Sequence, residues 1–412
     1  MNNTEVSIWS NNQFRSYLGS TAFSGIAYAM QYLLISWLLI GVLLLPADRV
    51  GVIQAIMGIP GIFLMLWGGA SADRTDPRTL LVRVYAVAPV LPLFLLVVNQ
   101  GHWLNVWTVG LWGLGMSVVT SFSSPAHQAI LNRVSGSDIQ KGIAASTAVM
   151  FLVQMIGLSM AGQMDRFGLS AVLIIQTACL AMGAIMIRRL AAQAPVNVVP
   201  KESSLRVIVE GFKATYRDSV IFNVLVVNFI SSIFNAGAFM TVFPFIIKRI
   251  YDGDAMLLAV MMIVFYGGAM LSNLLMVRFM PFAKPGRWFL LLQLSRIVIV
   301  YLLWIEPSWW LLVLTIVAWG LNMGITSTVA RTIVQESADE AYRGRILSVF
   351  NLGLLGSAPI GALVLGWIIE SFGTLNALIP SMVVSFVLFI YGVYFTAVWD
   401  YRSPSASVPQ GS

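Results

Sequence analysis

Apolar residues in this chain run in blocks of roughly twenty, and no other feature restricts its fold so severely. A block of that length, wound as a helix, crosses a hydrocarbon core of ~30 Å. Inside lipid every backbone N–H and C=O must be bonded within the protein, which leaves only helices and closed barrels. Barrel strands are shorter and alternate apolar with polar residues, and the blocks here do not alternate. Of 412 residues 58% are hydrophobic and 10% charged, against about a quarter charged in a typical soluble domain. The chain reads as an all-α integral membrane protein.

The blocks predict twelve spans, at about 16–45, 50–71, 79–98, 103–126, 143–164, 169–187, 220–247, 255–277, 288–305, 309–330, 346–369 and 374–398. Trp103, Trp288, Trp309 and Trp310 stand at their flanks as interface anchors. Residues before Arg15 are polar and the first apolar run is too long for the core of a cleaved signal, so it is read as a span. The longest connection, 188–219, divides the chain into an N-terminal half, 1–187, and a C-terminal half, 220–412. Past Pro195 and Pro200 it carries Leu205, Ile208, Val209, Phe212 and Tyr216, a spacing that predicts a short amphipathic helix on the membrane surface.

Charge gives the orientation. With the N-terminus inside, only Arg49, Arg166, Lys248 and Arg249 of the 24 basic residues fall in outer segments. Arg296 lies within a span, and the other nineteen are cytoplasmic. That bias predicts cytoplasmic termini. The net charge of +7 is accounted for by topology, and no nucleic-acid partner is inferred from it.

The second half repeats the first. Trp112-Gly113-Leu114-Gly115-Met116 in the fourth span matches Trp319-Gly320-Leu321-Asn322-Met323 in the tenth. Asp165-Arg166-Phe167-Gly168 after the fifth matches Glu370-Ser371-Phe372-Gly373 after the eleventh. Six spans separate the copies, so both halves enter the membrane in the same direction. Parallel repeats imply a pseudo-two-fold axis along the membrane normal, with a site between the halves at mid-depth.

Between the second and third spans the chain reads Gly69-Ala70-Ser71-Ala72-Asp73-Arg74-Thr75-Asp76-Pro77-Arg78. This resembles the G-x-x-x-D-R-x-x-R signature of the major facilitator superfamily. Gly69 permits close helix approach, Asp73 suits the positive end of a neighbouring helix, and Arg74 and Arg78 suit carboxylates or lipid phosphates. The resemblance implies the major facilitator fold, with twelve transmembrane helices in two six-helix halves related by a pseudo-two-fold axis. It also implies a gate in which the aspartate contacts the start of the eleventh helix, here Arg343-Gly344-Arg345, preceded by Glu336, Asp339 and Glu340. The corresponding loop of the second half, Arg278 to Arg287, has no acidic member.

Further strings resemble the transmembrane secretion effector group, which includes enterobactin-exporter-like and macrolide-efflux-like proteins. They are Met30-Gln31 with Ser36-Trp37-Leu38, Pro125-Ala126-His127-Gln128-Ala129, and Arg343-Gly344-Arg345. Two departures stand out. His127 occupies a position where that group usually has arginine, and the fifth span, Gly157 to Gly162, lacks the Gly-Pro pair of antiporters. The eleventh keeps Pro359-Ile360-Gly361.

All seventeen acidic residues fall in loops or at span ends, so Arg296 is the one deep charge on this assignment. A charge facing lipid there costs at least ~2.5–3.5 kcal/mol, which directs it to a cavity or a partner. Its planar guanidinium suits an anionic group on a substrate, and the alternative is an arginine that snorkels to the surface or bonds carbonyls. Gln31, Gln154, Asn228, Asn235, Asn273 and Asn322 are also intramembrane, as cavity lining or as bridges between helices. The resemblance favours Gln31 and Asn235, because the first and seventh helices line the superfamily's central cavity. Tyr28, Tyr32, Phe234, Phe239 and Tyr266 would supply apolar walls or core packing.

Cys179 is the one cysteine, so no disulfide or thiolate cluster can form, and His102 and His127 are expected near span ends as interfacial residues. No metal site, cofactor or phosphate-binding loop is expected. The reading is a monomeric secondary transporter in a bacterial inner membrane, surrounded by lipid. It would export small amphipathic molecules such as siderophores or antibiotics by alternating access, drawing on a proton gradient. A lipid or lysolipid flippase of the same fold and a non-transporting sensor or assembly subunit are the alternatives. A membrane enzyme is disfavoured, since no deep Ser/His/Asp or metal constellation is present. Reporter fusions test the topology: one at Gln100 should report the outer side and one after Arg402 the inner side, and any other pairing contradicts the orientation.

Overall fold

The computed structural model describes residues 11–74, 76–135, 139–192, 204–339 and 342–404; the side chains of 66–74, 139–140, 144, 204–208 and 277 fall outside that description. Among the described residues there are helices and no strands, and twelve helices are long and apolar enough to cross a membrane. They are α1 (Asn12–Trp37), α2 (Ala47–Arg74), the pair α3 (Pro77–Val87) and α4 (Val90–Gln100), α5 (Val106–Val134), α6 (Ile139–Gly162) with a short α7 (Met164–Phe167), and α8 (Leu169–Arg188). The linker forms α9 (Ser204–Arg217). Then come α10 (Ser219–Gly237) with the one-turn α11 (Phe243–Phe245), α12 (Ala255–Phe279), α13 (Pro285–Trp304), α14 (Trp309–Ser337), α15 (Arg343–Phe372) and α16 (Ile379–Tyr394).

Helix starts follow local chemistry. Asn105 accepts from the N–H groups of Trp107 and Thr108 while Thr108 Oγ1 accepts from the Asn105 N–H, a reciprocal cap. Asp76 and Asp218 cap α3 and α10. Prolines divide into two kinds. Pro60, Pro125 and Pro359 sit inside continuous helices, whereas the third predicted span is broken at Pro89. Because α5 runs through Pro125 to Val134, the helix of the fourth span is longer than its predicted end at 126, and His127 lies within that helix.

The chain divides into two compact units. The first comprises 1–44, 56–201 and 253–263, and the second 45–55, 202–252 and 264–412. Helices α2 and α12 thus each contribute residues to both. Within the first unit α1 packs on α6, α8 and α5, and α3 on α5 and α8; within the second α10 packs on α15, α16 and α14, and α13 on α14 and α16.

The repeat is visible as matched close approaches. A Cβ on Gly157 would meet the Ile26 carbonyl of α1 at 2.5 Å, and one on Gly361 would meet the Ile233 carbonyl of α10 at 2.1 Å. Gly113 faces Met57 of α2, and Gly320 faces the Phe265 carbonyl of α12. Gly162 abuts Ala259, and Gly366 abuts the Ala47 carbonyl. Without a hydrophobic drive between helices in lipid, such small residues let backbones touch and gain dispersion contact.

The acidic ends of the repeat have a matched role too. In the first unit an Asp165 carboxylate oxygen accepts from the Ala255 N–H that begins α12, at 2.8 Å. In the second, Glu370 accepts from the Ala47 N–H that begins α2, at 3.1 Å. Each acid neutralises the positive end of a helix. Gly168 and Gly373 follow with φ of 83° and 93°, in a region open essentially only to glycine. Helices α1 and α10 also match, each followed by a π-turn, at Leu38–Val42 and Ala238–Val242.

Substituting Gly361 by Val forces a branched side chain against the Ile233 carbonyl, and overpacking of this kind costs ~1–3 kcal/mol or more. We expect a clear drop in the melting temperature of the detergent-extracted protein. Gly110→Ala, where no atom lies within 4 Å of the added carbon, should leave it unchanged or raise it. Equal behaviour of the two variants would contradict the close-packing account.

Candidate functional site

Among the described residues each unit holds a cluster of hydrogen-bonded polar side chains between its helices. In the second unit the centre is Arg296, the twelfth residue of the twenty in α13 and 3% exposed. It neither faces lipid nor reaches a helix end. Its Nη1 donates to Gln293 Oε1 at 2.9 Å and to Ser231 Oγ of α10, and its Nη2 donates to Asn322 Oδ1 of α14 at 3.0 Å. Ser231 in turn donates to Gln293 Oε1 at 3.1 Å. Asn322 is held by its own donors, to the Leu292 carbonyl at 2.9 Å and Ser295 Oγ at 2.8 Å. The guanidinium Nε and Gln293 Nε2 have no partner among the described residues.

This arrangement follows from the cost of a bare charge in low dielectric. Neutral oxygens from three helices solvate the cation, but they return none of its charge. The cluster is therefore a fixed positive site with an N–H to spare, suited to an anion that brings its own acceptors. Asn235, one of the expected cavity residues, accepts from Trp319 Nε1 at 2.8 Å. Phe239 is buried, stacked on Phe265 with centroids 3.9 Å apart and edge-on to Trp319 at 5.5 Å. The structure thus brings Arg296 and Asn322 into contact and sets Asn235 and Phe239 around Trp319.

The first unit holds a different cluster. Tyr28 of α1 bonds Ser123 of α5 at 3.0 Å and lies 3.5 Å from the Tyr85 hydroxyl of α3. Tyr85 Oη is 2.6 Å from Nε2 of His127, and Thr21 Oγ1 is 3.4 Å from Nδ1. Gln31 is buried on α1 without a place in this chain of contacts. Trp112, the repeat partner of Trp319, is buried with its Nε1 unpartnered among the described residues. The two units share a scaffold and differ in chemistry.

Of the signature loop, Gly69, Asp73 and Arg74 lie in α2, but their side chains are outside the described residues. Arg78 donates to the Arg188 carbonyl at 2.8 Å, and Asp76 caps α3. Arg343 is exposed at the start of α15. Arg345 pairs with Glu210 of the linker helix and lies over the Tyr342 ring. Gly211 sits against the Arg345 carbonyl, so α9 is docked on α15, with Val209, Phe212 and Tyr216 exposed. Beside it a cavity of about 620 Å³ is walled by Phe212, Tyr216, Phe222, Phe229 and Phe350, with Lys213 and Arg217 also lining it.

Sequence reasoning missed Ser231, Gln293, Tyr85, Ser123, Glu210 and the place of His127. The i, i+3 spacing of Gln293 and Arg296 on one helix was the available signal for the first group. The others depend on tertiary contacts.

Twelve helices long and apolar enough to cross a membrane, with packing points duplicated between the units, define a polytopic helical protein built on an internal repeat. Among solved structures, the nucleoside transporter NupG superposes with a TM-score of 0.76 at 14% identity, over 95% of this chain and 100% of that one. A POT family transporter in complex with a thioalcohol-conjugated peptide gives 0.71 at 14%, over 92% and 95%. A bacterial homologue of the human lysosomal transporter Spinster gives 0.67 at 13%, over 94% and 96%. At such identities the likeness is one of fold. No curated protein sequence matches the chain. The family model described as transmembrane secretion effector matches residues 4–406, and the chain belongs to that family.

Proposed function

We propose that this protein exports small amphipathic molecules bearing an anionic group, by alternating access of its two halves across a bacterial inner membrane, and that a proton gradient drives it. The family's description as a secretion effector supports the outward direction. The observation that carries the substrate class is Arg296, a permanent cation held mid-helix by Ser231, Gln293 and Asn322, all of them neutral. A carboxylate or phenolate siderophore or antibiotic supplies the missing negative charge, and aromatic side chains such as Phe239 and Tyr266 provide apolar contact. Asp73, with Arg74, Arg78, Arg343 and Arg345, is assigned to the cytoplasmic gate on the strength of the signature.

A second reading has its own support. The apolar cavity between α9, α10 and α15, with Lys213 and Arg217 in its lining, would suit the acyl chain and headgroup of an anionic lipid, as a flippase requires.

The test begins with an untargeted comparison of metabolites in the medium of deletion and complemented cells. For the compound so identified, Arg296→Gln should weaken binding by more than tenfold, or ~1.4 kcal/mol. Arg296→Lys should rescue part of it, keeping charge but not the planar fork, and a neutral analogue should bind the variants nearly unchanged. Equal losses for charged and neutral forms would make Arg296 a strut between helices. Accumulation of a lysolipid in one leaflet, with no change in exported solutes, would favour the flippase.

A further inference from the structure

We propose that His127 is the proton-carrying group of this transporter, loading at Nε2 within the Tyr85–Tyr28–Ser123 hydroxyl chain of the first unit. The proposal deepens the proton-coupled reading of the function and rests on it for its purpose; the protonation site itself rests on the geometry that follows.

A proton-driven carrier needs a group inside the membrane that changes charge near neutral pH. Among the described residues the acids of the membrane-spanning helices stand near their ends, arginine stays protonated at any relevant pH, and tyrosines ordinarily ionise near pH ~10. Histidine changes charge between about pH 5 and 8. Of the two in the chain, His102 is exposed in the turn after α4, whereas His127 lies seven residues, or ~10 Å, inside the end of α5. The residue as a whole is only partly exposed, and its ring nitrogens face the Tyr85 and Thr21 hydroxyls.

The surroundings can hold the ring in either charge state. With Nε2 bare, the Tyr85 O–H donates to it at 2.6 Å while Nδ1–H donates to Thr21 Oγ1 at 3.4 Å. When a proton from water binds at Nε2, that bond reverses and Nε2–H donates to Tyr85 Oη. The Tyr85 hydroxyl then turns to Tyr28 Oη, 3.5 Å away. Tyr28 donates to Ser123 Oγ at 3.0 Å, and Ser123 to the Thr120 carbonyl at 3.4 Å. Every member is a hydroxyl, able to donate or accept, so one proton is gained and only hydrogen positions change. The same proton leaves to water on the opposite side.

The groups around the ring are neutral. Helix α1 brings Tyr17, whose ring meets the imidazole edge-on at 5.7 Å, together with Thr21, Ser24 and Tyr28. Helix α3 brings Tyr85, and α6 brings Ser146, bonded to Tyr17. Helix α4 and the π-turn Leu38–Val42 carry no ionisable side chain. The charged residues of these helices lie apart: Arg15, Arg83 and Lys141 are exposed, Arg78 is on the Arg188 carbonyl, and Arg133 is near the end of α5. An imidazolium here meets no carboxylate among its described partners. It is therefore more costly in an enclosed conformation than in one open to water, and that difference is what couples protonation to a conformational equilibrium.

The experiment uses the full chain in lipid nanodiscs without substrate. His102→Asn, which suits the positive φ of 57° at that position, leaves a single histidine to follow by ¹⁵N NMR. We expect the neutral form to carry its proton on Nδ1, and both nitrogens to shift together in one protonation step within the pH range of the titration. Tyr85→Phe should move that transition by at least half a pH unit. Spin labels on Gln100→Cys and Glu306→Cys, with Cys179→Ala, should give distance populations that change across the same pH range. His127→Gln, or His127→Asn if the first folds poorly, should abolish that change. A ring that stays neutral from pH 4.5 to 9, or a pH response that survives both substitutions, would overturn the proposal. Because no substrate is present, failure to find an exported compound would sink the export reading and leave this result standing.

Discussion

Every peptide group that enters the hydrocarbon region has to find its hydrogen-bond partner inside the protein, since lipid offers none. That requirement makes each span a helix and then governs how the helices meet. Where helices approach closely, glycine leaves the room, and the same positions recur in the two repeats: Gly157 with Gly361, Gly113 with Gly320, Gly162 with Gly366. Where a helix begins, free N–H groups need acceptors, and the matched acids Asp165 and Glu370 reach across to supply them at α12 and α2. The scaffold is one solution to one constraint, used twice.

Against that duplicated frame the polar chemistry is unequal. Trp319 donates to Asn235, while its counterpart Trp112 has no partner among the described residues. The second unit holds a permanent cation solvated by neutral oxygens, and the first holds a group whose charge can change. Both clusters carry polar atoms that an apolar core would spare, so structural economy alone gives no reason for either. The division of labour proposed above, with anion recognition at Arg296 and proton carriage at His127, would give each cluster a purpose.

Much of the frame was legible in sequence because its signals are long. Blocks of twenty apolar residues fix the number of helices, and Trp-Gly and Phe-Gly pairs disclose the repeat. The errors came from short-range signals. The apolar block of the fourth span ends near 126, yet α5 continues through Pro125 to Val134, as membrane helices can when neighbours satisfy the groups a proline frees. Pro89 did break its helix, so proline alone does not decide. Arg345 was assigned to the gate with Asp73, whose side chain lies outside the described residues; what sequence did not disclose is its pairing with Glu210, on a linker helix that packs against α15 at Gly211. Such contacts depend on the helices' mutual placement, which no local pattern encodes. Arg296 could be singled out by its charge, but its ligands Ser231 and Asn322 come from other helices.

Flux driven by a pH gradient alone is the most direct measure of whether this duplicated frame works as a coupled transporter. The purified protein would be reconstituted in liposomes with the compound identified by the export comparison at equal concentration on both sides. The account predicts net movement of that compound when a pH gradient is imposed, reversal of its direction when the gradient is inverted, and no net movement without one. Equal exchange in all three conditions would contradict it, leaving a passive carrier in place of a proton-driven one.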